Sequence, residues 1–218
     1  MAASKKSVRM VEVDPLNPSD KVVREIVDVF KQGGVVAFPT DTLYGIGCAF
    51  GRPRAIERIF AMRRIDGTKR PLTFLLPDLG EVARYADVSD TGYRILKRIF
   101  PGAYCVELSA SPSLPAPAAA PPATRRRRTI GVRVPDSPVC EKVLWGVGLP
   151  ILTATAKSLA GQTLTTAAAI ADEYGSALDL VVDGGTLAGL PSTVVSLVDD
   201  WVTVLREGKG PSDKVRMG

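Results

Sequence analysis

Hydroxyl side chains beside glycines recur at three places in this sequence, each time next to an apolar run. Thr40, Asp41, Thr42 and Tyr44 follow Val35-Val36-Ala37-Phe38-Pro39 and lead into Gly45 and Gly47. Thr155 closes the run from 149 to 155 and opens the hydroxyl-rich turn TATAKSLAGQT, and Pro191-Ser192-Thr193 stands directly before Val194. Basic groups lie close to these clusters in sequence: Arg63, Arg64, Lys69 and Arg70 in one loop, Arg133 at the end of TIGVRV, and Arg206 before Glu207-Gly208. Hydroxyls, backbone amides and guanidinium groups at strand ends are what a bound phosphate or carboxylate requires. Ligands collect at the carboxyl ends of strands in open α/β sheets. The alternatives are an ordinary turn after a core strand and a solvated basic loop. No GxxxxGK[ST] and no GxGxxG after a strand is present, so this is the composition of a nucleotide site without a P-loop or Rossmann motif.

The chain contains no histidine, which excludes a Ser-His-Asp triad, a Cys-His pair and most zinc enzymes. Cys48, Cys105 and Cys140 are odd in number and widely spaced, so neither a disulfide framework nor a CxxC metal site is offered, and reduced thiols are expected. Chemistry is left to carboxylates, cations, hydroxyls, backbone amides, or a Mg²⁺ ion brought with a nucleotide. The net charge of +5 suits an anionic partner, either a phosphate-bearing small molecule or a nucleic acid. No apolar run is long enough to span a bilayer and the first ten residues lack the apolar segment of a secretory signal. A cytoplasmic protein is therefore expected, with an organelle as the alternative.

At 218 residues, 45% of them hydrophobic, one domain with a substantial core is expected. Apolar spacing predicts helices over 21–32, 54–64, 79–85, 89–99, 139–147 and 166–174, several with Ser, Thr or Asp caps. Strands are predicted over 11–13, 35–38, 72–76, 104–108, 129–134, 149–155, 178–182, 194–197 and 201–205. In the first cluster Gly45 and Gly47 read as a tight turn, or as a close approach of backbone to a ligand. Residues 109–124, SASPSLPAPAAAPPAT, read as a mobile Pro/Ala insertion with too few large side chains to order itself. It runs into the block Arg125, Arg126, Arg127 and Arg128, which has three readings: phosphate capture, RNA backbone contact, or a solvated approach to the next strand.

The ordered series PTDTLYGIG, a basic loop before PLTFLL, then FPGAY, TIGVRVPDSP, DGG, STVV and REG resembles the YrdC/Sua5 family of threonylcarbamoyl-AMP synthases. The resemblance covers residues 11–210, taken as a single YrdC-like domain, and within the family it is closest to the YciO-type branch. It implies an α/β fold, a twisted mixed or parallel sheet with flanking helices and a deep basic cavity. It also implies an enzyme that joins threonine, bicarbonate and ATP, with Mg²⁺, into threonylcarbamoyl-AMP and pyrophosphate for the N6-threonylcarbamoyladenosine of tRNA.

Carried over by motif, Thr40, Thr42 and Tyr44 correspond to the threonine and bicarbonate pocket. Arg70, Arg133, Ser192, Thr193 and Arg206 correspond to nucleotide contacts, and Arg63, Lys69 and Thr155 to catalytic positions. Where the family has Lys-x-Arg this chain reads Arg63-Arg64-Ile65, and where it has Ser-x-Asn this chain reads Thr155-Ala156-Lys157. Two other functions stay open at this stage: a YrdC-like protein that binds tRNA or double-stranded RNA without synthase activity, and a hydrolase of a related adenylate. An aromatic content of 6% argues against base stacking as the main mode of any RNA binding.

Overall fold

The computed structural model describes residues 8–64, 72–112, 114, 129–198 and 201–216. Its frame is a ten-stranded mixed sheet. In chain order the strands are β1 (Met10–Glu12), β2 (Val36–Phe38), β3 (Gly45–Ala49), β4 (Thr73–Leu75), β5 (Tyr104–Ser109), β6 (Thr129–Arg133), β7 (Ile151–Thr155), β8 (Leu180–Asp183), β9 (Thr193–Ser196) and β10 (Thr203–Arg206). They lie side by side in the order β1-β8-β2-β3-β7-β4-β6-β5-β9-β10. β1 and β2 flank β8 in parallel, β4 runs parallel to β6 and β5 to β9, and the remaining pairs are antiparallel.

Strand alternation divides the core into two layers. Val36, Phe38, Ala49, Ile151, Leu180 and Val182 face helices α1 (Asp20–Lys31) and α5 (Pro138–Val147), which contribute Ile26, Val27, Phe30, Val143 and Leu144. Val35, Ala37, Cys48, Phe74, Val106, Val132, Leu152 and Val181 point the other way, into the cluster that also buries Ile59, Val82, Leu96 and Ile170. Those four come from α2 (Pro53–Arg63), α3 (Leu79–Tyr85), α4 (Asp90–Ile99) and α6 (Ala167–Tyr174).

The helices begin where local chemistry supplies acceptors for their first amides. Ser19, Asp78, Ser89, Ser137 and Thr166 accept from the backbone N–H three residues on. Gly33, with φ +81°, turns the chain out of the loop after α1 into β2.

Two expectations change. Gly45 and Gly47 do not form a turn: they lie in β3, a buried strand between β2 and β7, and Gly45 lines the cavity described below. The close approach is to β7, since a Cβ on Gly45 would come within 2.7 Å of Thr153 Oγ1 and one on Gly47 within 2.8 Å of the Leu152 carbonyl oxygen. The stretch from 109 is also not free throughout. Ser109 ends β5 paired with Thr129, Ala110 bridges Ala86, and Leu114 is buried in the larger cluster. One apolar side chain and a continued ladder draw that end of the segment into the fold; its remainder and Arg125 to Arg128 lie outside the described residues. A short helix not expected from the sequence, α7 (Asp213–Arg216), buries Val215.

Replacing Gly47 with alanine places a methyl against the Leu152 carbonyl and, at 2.9 Å, the Ile151 side chain. Such overpacking is expected to destabilise the protein by about 1–3 kcal/mol. Urea unfolding should show a lower midpoint with an unchanged slope.

Candidate functional site

The sheet face that α1 and α5 cover over β8, β2, β3 and β7 continues across β4, β6, β5 and β9, and there it floors a cavity of about 780 Å³. Register explains the floor. Thr73 faces Thr153, Leu75 faces Arg133, Glu107 faces Gly131 and Cys105 faces Val194, and all eight line the cavity. On β4, β5, β6 and β9 one residue in two therefore belongs to the cavity and the next to the core, for example Cys105 and Glu107 against Val106.

Three of the cavity walls are the strand ends that carry the hydroxyl clusters. The loop after β2 contributes Thr40, Thr42 and Tyr44, the end of β7 contributes Thr155 and the turn after it, and the start of β9 contributes Ser192. Arg63 and Arg64 at the end of α2, Arg133 on β6, Lys157 in the turn after β7 and Arg206 on β10 are the cations in the lining. Glu107 is the carboxylate there among the described residues. Arg64 ends α2 in the left-handed conformation, with φ +48°, the one described residue other than glycine to do so.

The hydroxyls are not equivalent. Thr40 Oγ1 donates to the Leu43 carbonyl at 2.7 Å and accepts from the Thr42 and Leu43 amides, so it holds the turn. Thr42 Oγ1 accepts from Arg133 Nη1 at 2.8 Å and lies 3.2 Å from Thr40 Oγ1, to which it donates because the Thr40 proton is given to Leu43, and 3.5 Å from Ser192 Oγ. The Tyr44 hydroxyl donates to the Gly185 carbonyl at 2.7 Å and accepts from the Gly184 amide at 3.1 Å, so it anchors the Asp183-Gly184-Gly185 turn. Burial pushes its pKa up, the amide bond opposing this and Asp183 adding to it.

Thr193 is fully buried and does not line the cavity. Its hydroxyl donates to the Gly210 carbonyl at 2.5 Å and accepts from the Gly208 amide at 2.9 Å, fastening the segment after β10 to β9. This corrects its assignment as a nucleotide contact: strand alternation sends Thr193 to the opposite face from Val194. Arg206 stands at the rim, where its Nη2 donates to the Ser192 carbonyl at 2.8 Å. Lys69 and Arg70 lie outside the described residues.

Asp41, named in the first hydroxyl cluster but given no role there, fixes the centre of the site. Its carboxylate pairs with Arg133 Nη2 at 2.5 Å, each side chain only 9% exposed, and its carbonyl accepts from Lys209 Nζ at 2.5 Å. Lys157, noted in the sequence as a departure from the Ser-x-Asn pattern, lines the cavity; Glu107 and Tyr174 were missed. For Tyr174 no signal existed, because a tyrosine in an amphipathic helix reads as core. For Glu107 the signal was a charged residue on the alternating strand Tyr104–Ser109. Cys140, at the start of α5, donates from Sγ to the Pro39 carbonyl at 3.5 Å and so ties that helix to the first hydroxyl loop.

The mixed sheet and its basic cavity, built from three hydroxyl-rich strand ends, define an α/β protein with a lining of hydroxyls and cations at the ends of its strands. The model of the Sua5/YciO/YrdC family, described by the words telomere recombination, matches residues 28–208, and the chain belongs to that family. The crystal structure of E. coli YciO superposes with a TM-score of 0.85 at 31% identity, covering 95% of this chain and 99% of that one. The threonylcarbamoyl-AMP synthase of Vibrio vulnificus is 32% identical over 166 residues, 74% of this chain and 86% of its own. P. abyssi Sua5 complexed with L-threonine shares the fold, with a TM-score of 0.81 at 23% identity over 95% of this chain and 59% of that one. Among the described residues no helix is long and apolar enough to cross a membrane.

Two outcomes follow from this geometry. Asp41→Ala strands the Arg133 charge in a buried position and is expected to cost about 3–5 kcal/mol, measured by urea unfolding, with much of the loss recovered when Arg133 is replaced by methionine as well. Burial pushes the Cys48 and Cys140 thiols up to about 12. A thiol whose folded value exceeds its unfolded value of about 8.5 adds stability that is fully present below that pH and is lost as pH rises toward 12. Unfolding free energy should therefore fall between pH 9 and pH 11, and should fall less in a Cys48→Ala, Cys140→Ala double variant.

Proposed function

We propose that the chain is an ATP-dependent enzyme that joins threonine and bicarbonate to the adenylate of ATP, forming threonylcarbamoyl-AMP and releasing pyrophosphate and water. The product would serve N6-threonylcarbamoyladenosine formation in tRNA. The observation that carries this reading is the ring of Arg63, Arg133, Lys157 and Arg206 around a cavity of about 780 Å³ that also presents the Thr42 and Ser192 hydroxyls. Such a space matches a nucleotide with a small substrate in volume, and its lining matches them in charge.

Family membership, the synthase in Vibrio vulnificus and the L-threonine complex of P. abyssi Sua5 support the choice of substrates. In this reading Arg206 and Ser192 at the rim take the triphosphate. Arg63 and Lys157 on the opposite wall hold the carboxylate and bicarbonate end. The chain supplies no histidine for proton transfer, so its contribution is alignment of the amine with the bicarbonate carbon and of the resulting carbamate with the α-phosphorus. Fixed cations then neutralise charge as the bond to pyrophosphate breaks. Mg²⁺ enters with ATP as its counter-ion; among the described residues no group of three or more Asp, Glu or Cys is placed to hold an ion.

Purified protein given ATP, Mg²⁺ and bicarbonate should release pyrophosphate only when threonine is added. Arg206→Ala should lower that rate by about two to three orders of magnitude, the effect of removing one charge-stabilising donor. Release without threonine dependence, or none from folded protein, would sink the synthase reading.

A further inference from the structure

Arg63 and Arg133 both line the cavity, but they are held in opposite ways. Arg133 pairs with a carboxylate. Arg63 Nη1 donates to two neutral oxygens, the Lys157 carbonyl and the Tyr174 hydroxyl, the latter at 2.8 Å, and the Tyr174 hydroxyl itself donates to the Lys157 carbonyl. Among the described residues no carboxylate pairs with Arg63. Its Nε is buried and has no hydrogen-bond partner.

A guanidinium is a planar fork of N–H donors. With Nη1 bonded and Nε closed to solvent, Nη2 is the donor of Arg63 left for a ligand. Tyr174, the last residue of α6, is buried in the larger apolar cluster and does not line the cavity. We infer that Tyr174 is a positioning residue. It fixes Nη1 so that Nη2 of Arg63 is presented, already oriented, to an oxyanion such as a carboxylate or bicarbonate.

The same hydroxyl also holds the neighbouring turn. Lys157 begins a closed turn in which Leu164 donates to the Ala156 carbonyl and Ser158 to the Gln162 carbonyl, and Leu159 donates to Glu173 on α6. Tyr174 thus sets Arg63 and the Lys157 turn from one point. An unrestrained arginine would lose rotamer freedom on binding; one already bonded through Nη1 loses less. The inference rests on the proposed substrates only in naming threonine as one probe.

The test is nitrogen NMR of the arginine Nε–H groups in the full chain, with the Arg63 signal identified by its loss in Arg63→Lys. Sodium acetate and, separately, L-threonine are the ligands. Acetate should shift the Arg63 signal saturably, and Tyr174→Phe should weaken that binding about tenfold, the loss of one hydrogen bond to a charged group. In an Arg63→Lys background Tyr174→Phe should add nothing to the loss of threonine affinity, as two residues acting through one contact require. Before any substitution, the Arg63 Nη1 protons should exchange more slowly than those of exposed Arg64, a readout that stands even if Tyr174→Phe does not fold. Unchanged acetate affinity in Tyr174→Phe, additive losses in the double variant, or Arg63 exchanging as fast as Arg64 overturns the positioning role. A response of Arg63 to acetate in a protein that does not bind threonine keeps that role and removes threonine from the proposed reaction.

Discussion

The buried pair between Arg133 and Asp41 is the contact on which the site depends. It joins residues 92 positions apart, one at the end of β6 and the other in the loop after β2, and both are almost fully removed from water. Burying either charge alone costs several kcal/mol, so the loop and the strand end are obliged to meet. Thr42 is fixed by the same guanidinium, Ser192 lies against Thr42, and Lys209 closes onto the Asp41 backbone from the other end of the chain. Two hydroxyl clusters remote in sequence thereby meet at one wall. Arg63 shows the contrasting use of the same side chain: neutral acceptors orient it and leave its charge for an occupant.

Packing permits this only because β3 lacks side chains at two points. Gly45 and Gly47 let β3 lie directly against β7, which brings Thr153 and Thr155 into line with the floor. Larger residues there would displace β7 and, with it, the Lys157 turn. The strand is thus a spacer whose thinness sets the cavity's geometry.

Much of this was legible in the sequence. Capped helices with apolar stripes and short β-branched runs give unambiguous periods, and α1, α3, α4 and α6 lie within a residue or so of their expected limits. The hydroxyl clusters were visible as possible cavity walls because Ser, Thr and Gly at strand ends are seldom needed for packing. β3 was illegible because glycine carries no apolar signal, and its strand character comes from neighbours on both sides. Thr193 was misassigned because a motif marks a segment, whereas the pleat decides which of two adjacent hydroxyls faces the cavity. Asp41 and Tyr174 were illegible as site components for another reason: each acts through a partner brought close only by the fold.

One feature of the sheet reaches beyond the chemistry of the site. The face that α1 and α5 cover over β8, β2, β3 and β7 has the cavity, rather than a described helix, over β4, β6, β5 and β9. In most α/β folds a second apolar layer would complete that half. Under the proposed function the bound anion would do so, its charge standing where packing would otherwise be. Folding and binding would then be one coupled equilibrium, with the anion concentration of the surroundings helping to set how firmly that half of the sheet is held and the ligand acting as a removable third layer of the protein.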